Sequence, residues 1–260
     1  MSFLNSRTRS APQGFGKPVR RREDLRLLTG KGCYSDDFNL PGQAYACMVR
    51  SPHAHARLRH IDGAGAMKVP GVIAVLTGGD AAADGLRAIP HHPVPTNPHE
   101  VPLKSRDGSD FFIAPHAPLP TDRARFVGEA VALVIAETPA AAKDGVARVS
   151  VDYEPLPAVT ATVDAVAADA PLVWKETTSN VCVDSEAGDA ATDAAFRRAA
   201  HVVRLETQIN RVTGVPMEPR AALGVYDKAS GRYTLYAGSG GSVRIKTDLA
   251  GTLGVPESAV

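Results

Sequence analysis

Residues 125–159 read RFVGEAVALVIAETPAAAKDGVARVSVDYEPLPAV, and this stretch decides the fold because it spells strand, helix, strand in one short run. Phe126 to Ala136 is almost continuously apolar, the pattern of a strand buried on both faces. Thr138 followed by Pro139 is an N-cap with proline at the first helical position. The helix is short. Ala140, Ala141, Ala142 and Val146 give it a small, close-packing face, and Gly145 weakens it near its end. Val149, Val151 and Tyr153 then alternate with Ser150 and Asp152 as a half-buried strand. Glu154-Pro155-Leu156-Pro157 ends the unit, because prolines at this spacing cannot continue a ladder. Its residues are scaffold first, since buried apolar runs pack rather than touch a substrate.

Working outward, 260 residues with 44% hydrophobic and 22% charged content suit a globular chain with one large core or two moderate ones. Lys and Arg number 29 against 28 Asp and Glu, a net charge of +1, so no field recruits nucleic acid or a membrane. The cluster Arg20-Arg21-Arg22 is too short to change that and reads as a solvated arm or a subunit contact. Cys33, Cys47 and Cys182 are far apart without metal-ligand spacing, which predicts reduced structural thiols. The N-terminus lacks an apolar core of signal-peptide length and no window resembles a membrane span, so the expected location is cytoplasmic.

In chain order, residues 1–25 carry Pro12, Gly14, Gly16 and Pro18 without periodicity and read as an extended arm. Ala44 to Arg50 alternates as a strand, and the segment from His53 to Ile61 leads into another. His53 and His55 would share one face of a strand, which suits either a metal or a hydrogen-bonded turn; no third ligand is evident. Gly71 to Leu76 is a further strand, and Thr77-Gly78-Gly79-Asp80 opens a short helix. Residues 85–121, with Pro90, Pro93, Pro95, Pro98, Pro102, Pro115, Pro118 and Pro120, read as a long surface excursion. Its histidines, His91, His92, His99 and His116, have no enforced geometry for a metal.

Residues 161–177 read as a linker. Beyond it, Ala191 to Ala200 is a short helix, His201 to Ile209 alternates as a strand, and Ala222–Tyr226 pairs with Tyr233–Ala237 as a hairpin. Glu218 and Arg220 stand in a loop between Pro216 and Pro219, a setting that suits a held site residue or a plain ion pair. The most suggestive loop is Gly238-Ser239-Gly240-Gly241-Ser242. It leaves a strand and enters a helix with Ser242 as N-cap, Ile245, Leu249 and Leu253 as its apolar stripe, and Gly254 and Pro256 as its stop. Glycines admit a ligand close to the backbone, and the free N–H groups at the helix end favour an anion. The loop matches neither of the common phosphate-binding patterns.

Three ordered strings carry a resemblance: GKPVRRREDLRLLTGKGCYSDDFNLPGQAYACMVRSPHAHARLRHID from Gly16, the opening stretch, and VPMEPRAALGVYDKASGRYTLYAGSGGSVRIKTDLAGTLGVPESAV from Val215. Together they resemble the molybdenum-binding large subunit of the xanthine dehydrogenase, aldehyde oxidase and carbon monoxide dehydrogenase family. The resemblance implies an α+β chain: an α/β hammerhead domain over 26–160, a linker over 161–177, and over 178–260 the beginning of a molybdopterin-binding domain. It implies an oxidoreductase that hydroxylates an aldehyde or N-heterocycle, or oxidises a small carbon substrate, with oxygen from water. Electrons would pass through a molybdenum–molybdopterin cofactor, in its dinucleotide form, to iron–sulfur and FAD subunits.

The cofactor-binding residues implied are Gly238, Ser239, Gly240, Gly241 and Ser242; no catalytic residue or metal ligand is implied. Many relatives have glutamine near the metal's oxo ligand where this sequence has Gly240. The family's later glycine-rich loop and glutamate base have no counterpart before Val260. The expectation is therefore an N-terminal portion that binds no cofactor and is inactive alone, needing the remainder of the molybdenum subunit. Residues 26–160 are expected to fold independently and 178–260 to be marginal, with protease cleavage near 165–190. The alternative is a non-catalytic hammerhead scaffold that binds partner subunits.

Overall fold

In the computed structural model, residues 20–91, 104–186, 188–210, 212–218 and 220–260 are described. The expected arm up to residue 19, together with Pro93, Pro95, Pro98, Pro102, His92, His99 and Pro219, lies outside them. In chain order the elements are α1 (Asp24–Leu28), β1 (Tyr45–Arg50), β2 (Ala56–Asp62), β3 (Val72–Thr77), α2 (Gly78–Ala83), β4 (Arg123–Ala124), β5 (Ala130–Ala136), α3 (Pro139–Val146), β6 (Ser150–Pro155), α4 (Thr162–Ala165), α5 (Ala190–Arg198), β7 (Ala222–Asp227), β8 (Arg232–Ala237) and α6 (Ser242–Leu253). Among these described residues, no helix is long and apolar enough to cross a membrane.

The opening stretch forms strand, helix and strand, but its two strands enter different sheets. β5 is the centre of an antiparallel sheet of order β1-β5-β3, while β6 joins a second sheet of order β4-β2-β6. One core unites them: Val131 and Val134 of β5 are fully buried, and Leu58, Ile61, Val151 and Tyr153 of the second sheet pack against that cluster. Each such buried valine stabilises the fold by roughly 1.5–3 kcal/mol. The Thr138 hydroxyl accepts from Ala141 N at 3.1 Å, as the N-cap reading requires. Gly145 does more than weaken α3. A Cβ there would stand 2.8 Å from Val134 Cγ1 and 2.9 Å from Val72 Cγ2, so its missing side chain lets the helix settle on the sheet.

The strand begins later than its apolar run. Phe126 and Val127 are exposed, and the chain turns at Gly128, whose φ is 90°. Gly128 N donates to Ser51 O at 2.8 Å, and Ser51 N donates to Glu129 O at 2.9 Å, so the turn is fixed from the end of β1. At the start of α2, Asp80 Oδ2 accepts from both Thr77 N and Thr77 Oγ1 at 2.7 Å, and these bonds hold its carboxyl below the usual aspartate range.

The segment read as a linker makes side-chain contacts. The Asn180 side-chain amide donates to Ala165 O at 3.2 Å and Pro171 O at 3.0 Å, and its Oδ1 accepts from Val173 N at 3.3 Å. Trp174 carries the Arg125 guanidinium 4.0 Å above its ring, a cation–π contact that ties the segment to the turn before β5. His201 to Ile209 corrects the expectation of a strand. It forms no strand, with Val203, Leu205 and Ile209 at 91%, 84% and 93% exposure. Alternation alone cannot make a strand without a ladder partner, and none is present among the described residues. Trypsin is therefore expected to cut first at Arg204, ahead of Lys175 in the docked segment; mass spectrometry of the earliest fragments reads this, and first cleavage at Lys175 would refute it.

Candidate cofactor site

Two segments of the second region build the site. The hairpin pairs in full register, from Ala222 with Ala237 to Asp227 with Arg232. Its turn is fixed by Asp227, which accepts from Ser230 Oγ at 2.6 Å and Ala229 N at 2.9 Å, bonds that lower the pKa of its carboxyl. β8 delivers the chain into the Gly238–Ser242 loop, and α6 carries it away. The far end of α6 is anchored on the first region: Arg87 N donates to Thr252 O at 2.8 Å, satisfying a carbonyl left open at the helix C-terminus. Gly254 supplies the left-handed C-cap at φ 68°.

The start of α6 differs from the sequence reading. Its N-cap is Gly241, not Ser242, and no side chain caps it. Ser242 is the first helical residue, so its hydroxyl does not satisfy the helix end, and the first N–H groups remain available to an outside acceptor. Ser239 folds the loop on itself instead, donating to Gly241 O at 3.1 Å and accepting from Gly241 N at 3.3 Å. Gly240 and Gly241 have open space where a Cβ would stand, and neither Gly238 nor Gly240 has positive φ. The glycines thus serve access rather than a left-handed turn.

The five expected residues do not share one cavity. Gly238 and Ser239 line a cavity of about 700 Å³ with Ser35, Glu218 and Arg220. Ser242 borders a separate one beside β8, near Thr234 and Val243. Glu218 and Arg220 are thus brought to the glycine loop, and among the described residues they form no ion pair with each other. Ser35 had no signal in the sequence. It comes from the first region, and its N–H donates to Glu218 Oε1, 183 positions away, at 3.4 Å. An uncapped helix end, with the Arg220 guanidinium lining the cavity beside the loop, can receive an oxygen-rich anionic group.

The histidines pointed to as possible ligands are used otherwise. His55 is buried, with Nδ1 3.2 Å from Pro157 O, and His53 leans on Tyr153 with ring centroids 4.8 Å apart. His91 stacks on His116 at 5.0 Å. Among the described residues no three His, Cys, Asp or Glu side chains converge as a metal-holding group.

Comparison with known proteins agrees with this architecture. Residues 29–157 match the family described as aldehyde oxidase and xanthine dehydrogenase, a/b hammerhead domain, and residues 173–260 match the molybdopterin cofactor-binding domain. The chain is 35% identical to the nicotine 6-hydroxylase large subunit of Paenarthrobacter nicotinovorans, over 94% of this chain and 28% of that protein. It is 33% identical to the carbon monoxide dehydrogenase large chain of Afipia carboxidovorans, over 95% of this chain and 30% of that protein. Among solved structures, quinoline 2-oxidoreductase from Pseudomonas putida 86 superposes with a TM-score of 0.78 at 33% identity, over 94% of this chain and 29% of that one. The chain thus spans less than a third of the length of these relatives. On these matches and this fold, the chain belongs to the aldehyde oxidase and xanthine dehydrogenase family, with the family's hammerhead domain followed by the start of its molybdopterin cofactor-binding domain.

Proposed function

We propose that this chain is the N-terminal portion of the molybdenum subunit of a hydroxylase acting on an aldehyde, an N-heterocycle or a small carbon substrate. The observation that carries the proposal is the uncapped N-terminus of α6, opening behind the Gly238–Ser242 loop in the part of the chain matched to the cofactor domain. When bound, the molybdenum–molybdopterin group, in its dinucleotide form, supplies the redox chemistry, in which water provides oxygen to the substrate carbon and two electrons leave. The protein's part is to bind and orient. The first N–H groups of α6 would donate to oxygen atoms of the group, Gly240 and Gly241 would keep side chains out of its approach, and Ser239 holds the loop closed. Iron–sulfur and FAD subunits are the proposed electron acceptors. Three unpaired cysteines suit a reducing compartment, so the proposed location is the cytoplasm.

One loop is a small share of a cofactor cradle. Purified by itself, the 27.3 kDa chain is therefore expected to retain no molybdenum, whereas the complex copurified from its native genetic context carries it in stoichiometric amount. Elemental analysis of both preparations reads this. Stoichiometric molybdenum on the chain alone would overturn the division of labour, and a metal-free, redox-inactive complex would replace the hydroxylase reading with a scaffold that only binds partner subunits.

A further inference from the structure

The cofactor loop touches the hammerhead region through a short segment. Residues Ser35–Asp37 form a 3₁₀ turn closed by Tyr34 N donating to Asp37 Oδ2 at 2.8 Å. The next residue, Phe38, stacks on Tyr236 of β8 with centroids 5.3 Å apart and planes at 23°. Between these anchors, Ser35 N reaches Glu218 Oε1. Gly238 lies close under this contact: a Cβ there would stand 3.1 Å from Ser35 Oγ, tighter than most Cβ contacts, and 3.8 Å from Glu218 Oε1.

A carboxylate lining a cavity for an oxygen-rich anion repels its ligand unless its charge is engaged elsewhere. Here the Ser35 N–H engages it. We infer that Glu218 is a positioning residue: latched to Ser35 N, it holds the Gly238–Ser239 wall against the hammerhead segment and so fixes where the cofactor loop stands. The inference rests on the loop being cofactor-facing. It adds that the placement of that loop is set from the N-terminal side of the hammerhead rather than within the cofactor domain.

The test uses the complete, cofactor-loaded enzyme. Ser35→Pro deletes the donor with little local disturbance, because Ser35 is the first residue of its turn and Tyr34 is extended at φ −107°, ψ 172°. Glu218→Ala deletes the acceptor. Each is expected to lower kcat about fivefold with KM changed less than about twofold, the effect of one ordinary, exposed hydrogen bond. Because the two variants break the same contact, the double variant falls no further than either alone. Losses that multiply, or that lie in KM, would overturn the positioning role.

A second readout needs no turnover. Ser35→Cys with Gly238→Cys, in a Cys33→Ser background, places a thiol at about the 3 Å that separates a disulfide sulfur from the opposite Cβ. The pair is expected to cross-link on mild oxidation, seen as a mobility change on a non-reducing gel, and failure to cross-link would remove the contact itself. The two readings fail separately. Turnover indifferent to Gly240→Val with a cross-link that still forms defeats the cofactor-facing loop, whereas a strong Gly240→Val effect with multiplying Ser35 and Glu218 losses defeats only the latch.

Discussion

Replacing Gly240 by valine in the complete, cofactor-loaded enzyme is expected to cut turnover by about a hundredfold, the scale of a roughly 1 Å misplacement at a reacting centre. The melting temperature should move by no more than about 2 °C, as for a substitution worth under about 0.5 kcal/mol. The separation follows from geometry. A glycine at positive φ, or one pressed against neighbours, loses stability when a side chain is added. Gly240 is neither: its φ is not in the left-handed region and nothing lies within 4 Å of its would-be Cβ. A valine there intrudes only on what binds the loop. Gly240→Gln, which restores the side chain many relatives are expected to have, should keep turnover well above that of the valine variant. Turnover and thermal melting on the same two variants decide it, and a fallen melting temperature with unchanged turnover would return Gly240 to the role of a turn residue.

Gly145→Val is expected to destabilise the chain by about 3 kcal/mol, the scale of an overpacked core, or roughly 6–12 °C in melting temperature. The alanine variant is the sharper test, because two effects oppose. Alanine within a helix gains about 1 kcal/mol over glycine in intrinsic propensity. Its Cβ would, however, stand 2.8 Å from Val134 Cγ1 and 2.9 Å from Val72 Cγ2, and Val134 is fully buried. Both neighbours are β-branched and stiff at χ1, so they cannot turn aside, and overpacking of this kind costs about 1–3 kcal/mol. Packing wins, and Gly145→Ala should lower the melting temperature. Val134→Ala in the same chain should relieve part of that loss, giving a double variant more stable than the summed single changes predict. A stabilised Gly145→Ala chain would show that α3 rides higher on the sheet than described.

The fold was legible where signals are local. Thr138-Pro139 announced its helix, Val151 and Tyr153 their half-buried strand, and the Asp227–Arg232 turn its hairpin, because caps, alternation and turns act over a few residues. Three things were not legible. The apolar run from Phe126 overstated β5, since a hydrogen-bonded turn at Gly128 uses those residues before the ladder begins. His201 to Ile209 has a strand's alternation but no partner, and pairing is a property of two segments. The candidate site was only half visible. The glycine loop could be read, and the charged loop at Glu218 and Arg220 noticed, but Ser35 approaches from a distant part of the chain, and only the assembled fold brings it there. Gly241 displaced Ser242 as the N-cap because Ser239 closes the loop one step earlier.

The arrangement of β1, β3 and β5 also has a consequence for synthesis on the ribosome. β5 lies between β1 and β3, yet it is made after both. At about 5–20 residues per second, roughly 4–20 s pass between the emergence of β1 and the completion of its neighbour β5. Through that interval Tyr45–Arg50 and Val72–Thr77 present unpaired backbone N–H and C=O groups, and Ile73 and Met48 add apolar side chains that stay partly exposed even in the finished fold. The sheet therefore cannot close until β5 has been made. Slower translation of residues 78–130 would lengthen that exposure, while faster passage through them would shorten it.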